Sequence, residues 1–232
     1  WWWSIAEGDF DKDGDMDYLI GNLGKNTKFK ASEEKPFMIY GNDFDENGTN
    51  DVVLANHSGE DVVPVRGREC SSQQMPFIAE KYPTFEGFAK ATLENIYSEE
   101  ALNKSVKYQT KSFASILLQN EGDHFEKVKL PAIAQVSPIR DFIVMDINKD
   151  GNLDALAAGN MYPAEVETMR YDAGIGVCLL GDGKGNLKPV STTESGFFAP
   201  FDARSMSKIN GSKNSYIIVG NNQERLQIFE VR

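Results

Sequence analysis

Cysteine and histidine are scarce: the chain of 232 residues holds two of each. Cys70 and Cys178 lie far apart and in no C-x-x-C pattern, which excludes a disulfide-dense scaffold and leaves one disulfide or two free thiols open. His57 and His124 each stand alone beside strand-like text and read as structural or solvent-facing, so no zinc site is expected. No run of 18 apolar residues occurs, and no transmembrane helix is expected. Basic residues are the minority, 24 Lys and Arg against 35 Asp and Glu, for a net charge of −11. Phosphate binding needs clustered Lys and Arg, so a nucleic-acid partner is disfavoured. No Ser/His/Asp or Cys/His set and no spare carboxylate pair stands out, so an enzyme is not expected.

What the chain has instead is aspartate at fixed spacing. Asp9-Phe10-Asp11-Lys12-Asp13-Gly14-Asp15-Met16-Asp17 is too acidic to fold on itself unless a cation sits among its side chains. The pattern D-x-[DN]-x-[DN]-G-x-x-D returns at Asp43, Asp45, Asn47, Gly48 and Asp51, and again at Asp146, Asn148, Asp150, Gly151 and Asp154. Calcium is the cation expected. It takes six to eight oxygen ligands, and alternate residues of a tight loop converge on one point. The expected ligands are the side chains of Asp9, Asp11, Asp13 and Asp17; of Asp43, Asp45, Asn47 and Asp51; and of Asp146, Asn148, Asp150 and Asp154. Asp15, Thr49 and Asn152 would add backbone carbonyls, giving three structural Ca²⁺ sites.

An EF-hand needs a bidentate Glu at loop position twelve and flanking helices. Position twelve is Ile20, Leu54 and Ala157, so that reading fails three times. Each loop runs instead into a β-rich stretch that ends in a small residue and Asn, at Gly21-Asn22, Ala55-Asn56 and Gly159-Asn160. Strand-like text also precedes the second and third loops, at 36–40 and 142–145, so each loop is expected to join two strands of a hairpin.

These loops resemble the FG-GAP and VCBS repeats of calcium-binding β-propellers, and the runs at 170–173 and 180–186 resemble the C-terminal part of bacterial secreted proteins related to the ASPIC/UnbV group. The resemblance implies an all-β fold, a partial propeller of about four blade units near 1–35, 36–130, 131–190 and 191–232. It also implies an exported protein of the cell surface, extracellular space or periplasm. The function expected is a calcium-stabilised binding or adhesion scaffold for a protein or glycan. A structural part of an envelope or outer-membrane assembly and a non-catalytic part of a carbohydrate-active enzyme are the alternatives.

Residues 66–112 interrupt the repeat. Phe85, Phe88, Ala89, Thr92, Leu93, Ile96 and Tyr97 fall on one face of a helix, with Thr84 as its N-cap and Ser98 capping the next. A small helical insertion is therefore expected. The runs 118–128 and 179–187 read as hairpins around Gly- and Asp-rich turns; the latter lacks the G-K-[ST] ending of a phosphate loop. A fourth repeat emerges when Gly220-Asn221 is laid on Gly159-Asn160. Its ligand positions are then Ser207, Ile209, Gly211 and Ser215, so it should form without metal. Trp1, Trp2 and Trp3 open the chain in strand-like text and are expected to pack at a blade face, covered by further blades or another chain.

Overall fold

The computed structural model describes residues 2–231. The packing expected for Trp1 lies outside the described residues. Fifteen strands form four antiparallel sheets, and the described chain is mostly β. It divides into two compact units: one comprises the residues up to Lys28 with those from Phe113 onward, the other Phe29–Ser112.

The larger unit opens with β1 (Ser4–Gly8) and β2 (Asp17–Gly21), paired as a hairpin. The chain then leaves to build the smaller unit. There β3 (Phe37–Asn42), β4 (Asp51–Ser58), β5 (Asp61–Pro64) and β6 (Val106–Thr110) lie in the order β5-β4-β3-β6. Five short helices connect β5 to β6: α1 (Arg68–Gln74), α2 (Phe77–Lys81), α3 (Phe85–Ala89), α4 (Leu93–Tyr97) and α5 (Glu99–Lys104). Alternation along β3 and β4 turns Met38, Tyr40, Val53 and Ala55 to one face, where they meet Met75, Ile78, Phe88, Leu93 and Ile96 from the helices.

Back in the larger unit, β7 (Ile116–Asn120) pairs with β2 and β8 (Phe125–Lys129) with β7, completing the sheet β1-β2-β7-β8. The next sheet is an uninterrupted meander of β9 (Ile139–Met145), β10 (Asp154–Gly159), β11 (Val177–Gly181) and β12 (Leu187–Val190). After α6 (Thr192–Ser195), β13 (Ala203–Asn210), β14 (Ser215–Asn221) and β15 (Gln227–Val231) make a three-stranded sheet.

All six residues of β10 are buried. With a period of two, Ala155 and Ala157 join Leu19, Leu117, Phe142 and Leu179 in one core, while Leu156 and Ala158 join Met206, Ile217 and Val219 in another. The middle sheet is thus covered on both faces, and β9 runs beside both β1 and β13. Each fully buried leucine or isoleucine here contributes about 1.5–3 kcal/mol by leaving water.

Two expectations need correction. The proposed units at 1–35 and 36–130 divide the first sheet, because Tyr18 of β2 pairs with Leu118 of β7. The segment between β2 and β7 is a unit of its own, Phe29–Ser112, in which the helices from Arg68 to Lys104 fall inside the expected insertion of 66–112 and pack with a sheet. The single helical face at 85–97 is also broken in two. Thr92 is extended (φ −77°, ψ 167°) and forms a capping box with Asn95 that starts α4 afresh, leaving Phe85 66% exposed. Thr84 and Ser98 do cap α3 and α5, accepting from the Gly87 and Ala101 N–H groups.

The small residue that ends the second strand of a hairpin has a steric cause. A Cβ on Gly159 would overlap the Pro138 carbonyl, where the chain enters β9. Backbone cannot step aside as a side chain does. Gly159→Ala is therefore expected to cost about 3 kcal/mol, whereas Gly220→Ala, whose Cβ would meet nothing closer than 3.4 Å, should cost less than half as much. Urea denaturation of the two variants measures the difference.

Candidate metal centre

Each aspartate-rich loop joins the first two strands of a hairpin, 9–16 between β1 and β2, 43–50 between β3 and β4, and 146–153 between β9 and β10. The three share a backbone trace. The fourth position is left-handed in each although none is glycine: Lys12 at φ 65°, Glu46 at 59° and Lys149 at 63°. The sixth is left-handed at Gly14, Gly48 and Gly151, with φ of 96°, 87° and 86°. A non-glycine residue in that region is strained, and its repetition shows that the loop geometry overrides local preference.

The closing aspartates are buried: Asp17 and Asp154 have no exposed surface and Asp51 has 4%. One carboxylate oxygen of each accepts the N–H of the second loop residue, Phe10 at 2.9 Å, Phe44 at 3.1 Å and Ile147 at 2.7 Å. The other oxygen accepts from elsewhere in the same unit. Asn120 N donates to Asp17 at 2.8 Å, Gly181 N to Asp154 at 2.9 Å, and Gln74 Nε2 to Asp51 at 3.1 Å. The closing residue therefore ties the loop to the neighbouring strand or helix. Burial pushes the Asp17 carboxyl above its ordinary value, the N–H donors of Asn120 and Phe10 oppose that, and the charges of Asp11 and Asp13 add to it.

The fifth-position side chains turn inward on the loop. Asp13, Asn47 and Asp150 each accept, at 2.8 Å, the N–H of the residue two further on, Asp15, Thr49 and Asn152. The first-position carboxylates Asp43 and Asp146 bridge two loop N–H groups each, of Asn47 and Gly48 and of Asp150 and Gly151.

Two of the three loops gather carboxylates around one point. Asp9, Asp11 and Asp17 each bring an oxygen within 4.8 Å of the others, and so do Asp43, Asp45 and Asp51. Oxygens bound to one calcium at about 2.4 Å lie no farther apart than this. In both trios one oxygen is buried and lacks any partner, Asp9 Oδ1 in the first and Asp45 Oδ1 in the second. An unpaired buried carboxylate oxygen is costly, and a cation removes the cost. These residues fit a hard cation. In the third loop Asn148 replaces the second carboxylate and donates to Asp150 Oδ2 at 2.9 Å, so among the described residues no carboxylate trio forms there. The fourth hairpin, β13–β14, closes instead by a tight turn in which Gly211 N donates to Asn214 O at 2.9 Å.

Gln119, whose Nε2 donates to Asp11 Oδ2, and the anchors Asn120 and Gly181 left no signal near the loops, because all three lie on strands farther along the chain. The cysteines form no disulfide: Cys70 sits on α1 and Cys178 is buried in β11, where burial raises its thiol to about 11. His124 shares a turn with Asp123, 2.6 Å away and exposed. No protein-family model matches the chain, and a comparison with curated proteins finds no match.

Proposed function

We propose that this chain is a calcium-stabilised binding scaffold, an arc of β-propeller blades of the FG-GAP/VCBS kind working at a cell surface, in the periplasm or outside the cell. The observation that carries the reading is the pair of carboxylate trios on equivalent hairpin loops, each with a buried oxygen that has no partner. Calcium suits them because every donor is oxygen and the loops are irregular. Magnesium demands a near-ideal octahedron, and transition metals favour nitrogen and sulfur. We assign three ions. The loop at Asp146, Asn148, Asp150, Asn152 and Asp154 is the weakest site, since Asn148 offers a neutral oxygen.

The propeller reading is supported by the meander order of the sheets in the larger unit and by β1, β9 and β13 running side by side. For an exported protein the expected affinity is about 10⁻⁴–10⁻³ M, usual for extracellular calcium modules. The partner is a protein or glycan, and the metals are structural.

Calorimetric titration of chelator-treated protein tests the assignment. Calcium is expected to bind at three sites, the weakest of them lost in Asp150→Ala, while Asp9→Ala and Asp45→Ala each remove one of the stronger sites. Heat from magnesium equal to that from calcium, or none from either, would refute it.

A further inference from the structure

Away from the metal loops, the entrances of β9 and β13 each carry a β-bulge with an arginine in it. In β9, Ile139 pairs with Gly159 and Asp141 with Ala158, so Arg140 is the extra residue. In β13, Ala203 pairs with Asn221 and Ser205 with Gly220, so Arg204 is the extra residue. Bulges re-aim side chains, and these two serve adjacent strands. Asp141 fixes the strands to each other by accepting the Met206 N–H at 2.6 Å.

The two arginines are treated unequally. Arg204 Nη2 donates to Asp202 Oδ2 at 2.8 Å, and Asn222 Nδ2 donates to the same oxygen at 3.0 Å. Asp202 is fully buried, yet its Oδ1 has no partner. Arg140 lays its guanidinium face on Trp3, 4.0 Å from the ring centroid. That stacking occupies the face and leaves the in-plane donors, five N–H groups, without an acceptor among the described residues. The Trp3 Nε1–H, unlike the Arg140 donors, is buried without a partner. Arg140 is half-buried and its donors have no acceptor among the described residues; burial opposes its charge, Arg204 beside it opposes it too, and Asp202 offsets part of this. A planar anion between the two guanidinium groups would supply the missing acceptors, since carboxylates fit the guanidinium fork with two parallel hydrogen bonds.

We infer that Arg140 and Arg204, held together by equivalent bulges over Trp3 and the buried Asp202, form a binding site for a small organic carboxylate. A polyanion is disfavoured by the chain's net charge of −11. Arg140, half-buried and without an acceptor among the described residues, is the clamp. Arg204 is already committed to Asp202 and contributes its remaining donors. This inference rests on the larger unit alone and stands whether or not the loops take calcium.

Sodium glucuronate and glucose are to be titrated into the protein, followed by the indole and arginine side-chain N–H signals in proton–nitrogen NMR spectra. Glucuronate should shift them saturably with a Kd of about 1 mM, and glucose, which has the same ring without the carboxylate, should not. Arg140→Gln should weaken binding about tenfold or more, Arg140→Lys should recover only part of it because the fork is lost, and Lys208→Gln should change nothing. Should Arg140→Gln fail to fold, a glucuronate-dependent rise in the wild-type melting temperature that glucose does not produce carries the same test. The proposal falls if wild-type protein gives no saturable response, if glucose matches glucuronate, if folded Arg140→Gln binds as tightly as wild type, or if polyglutamate binds more tightly than glucuronate.

Discussion

Removing calcium with a chelator should lower the melting temperature of both units by about 6–11 °C. At ten times Kd each independent site stabilises the folded state by about 1.4 kcal/mol through RT ln(1 + [L]/Kd). The loop at Asp43 lies in the smaller unit, and those at Asp9 and Asp146 lie in the larger. A loss of 1.4 kcal/mol moves a small domain by about 4–8 °C per kcal/mol, and twice that loss moves a larger one by about 2–4 °C per kcal/mol. Calorimetric scans with and without EDTA would resolve the effects. Asp45→Ala should abolish the calcium response of the smaller unit alone, and Asp9→Ala should roughly halve that of the larger. An unchanged melt in protein shown by elemental analysis to be calcium-free would sink the metal assignment.

The largest single-residue effect is expected at Asp154, and it should persist when metal is removed. The carboxylate is fully buried and accepts the N–H groups of Ile147 and Gly181. Asp154→Ala leaves one buried donor, Gly181 N–H, and one part-buried donor, Ile147 N–H, unpaired at about 1–3 kcal/mol each, a total of roughly 2–6 kcal/mol. Asp154→Asn keeps one acceptor and should lose about half. Ser215, which takes the equivalent place in the metal-free hairpin, bonds only the exposed Asn210 side chain. Ser215→Ala should therefore stay within about 0.5 kcal/mol of wild type. Urea denaturation in EDTA reads all three, and an Asp154→Ala protein as stable as wild type would remove the anchoring role assigned to the closing aspartates.

The hairpins were legible because two signals agree: a short β-rich run after each acidic loop, and glycine at the sixth position of the loop. The division into units was not. Nothing local in Tyr18-Leu19-Ile20 says that its other neighbour is Ile116-Leu117-Leu118, since pairing across an insertion leaves no mark on either strand. The break at Thr92 was missed for a different reason. Apolar spacing continues through it, and only the Thr92–Asn95 capping box, a local hydrogen-bond competition, overrides the periodicity. At the acidic loops the residue types were readable but their division of labour was not. Asp13 and Asp17 share one spacing, yet the first is exposed and holds the turn while the second is buried and reaches β7.

The pairing of β2 with β7 also bears on how the chain reaches its native state. On a growing polypeptide, the β1–β2 hairpin must wait with one edge unpaired until everything through β7 has been made. Closing a flexible loop of that length costs about 2 kcal/mol more than closing one of ten residues. If 29–112 folds first, its compact body replaces that loop with a short tether, and the penalty largely disappears. The order of events is then imposed by topology: the inserted unit matures before its host, and slow or failed folding of the insertion leaves the host sheet with an open, aggregation-prone edge.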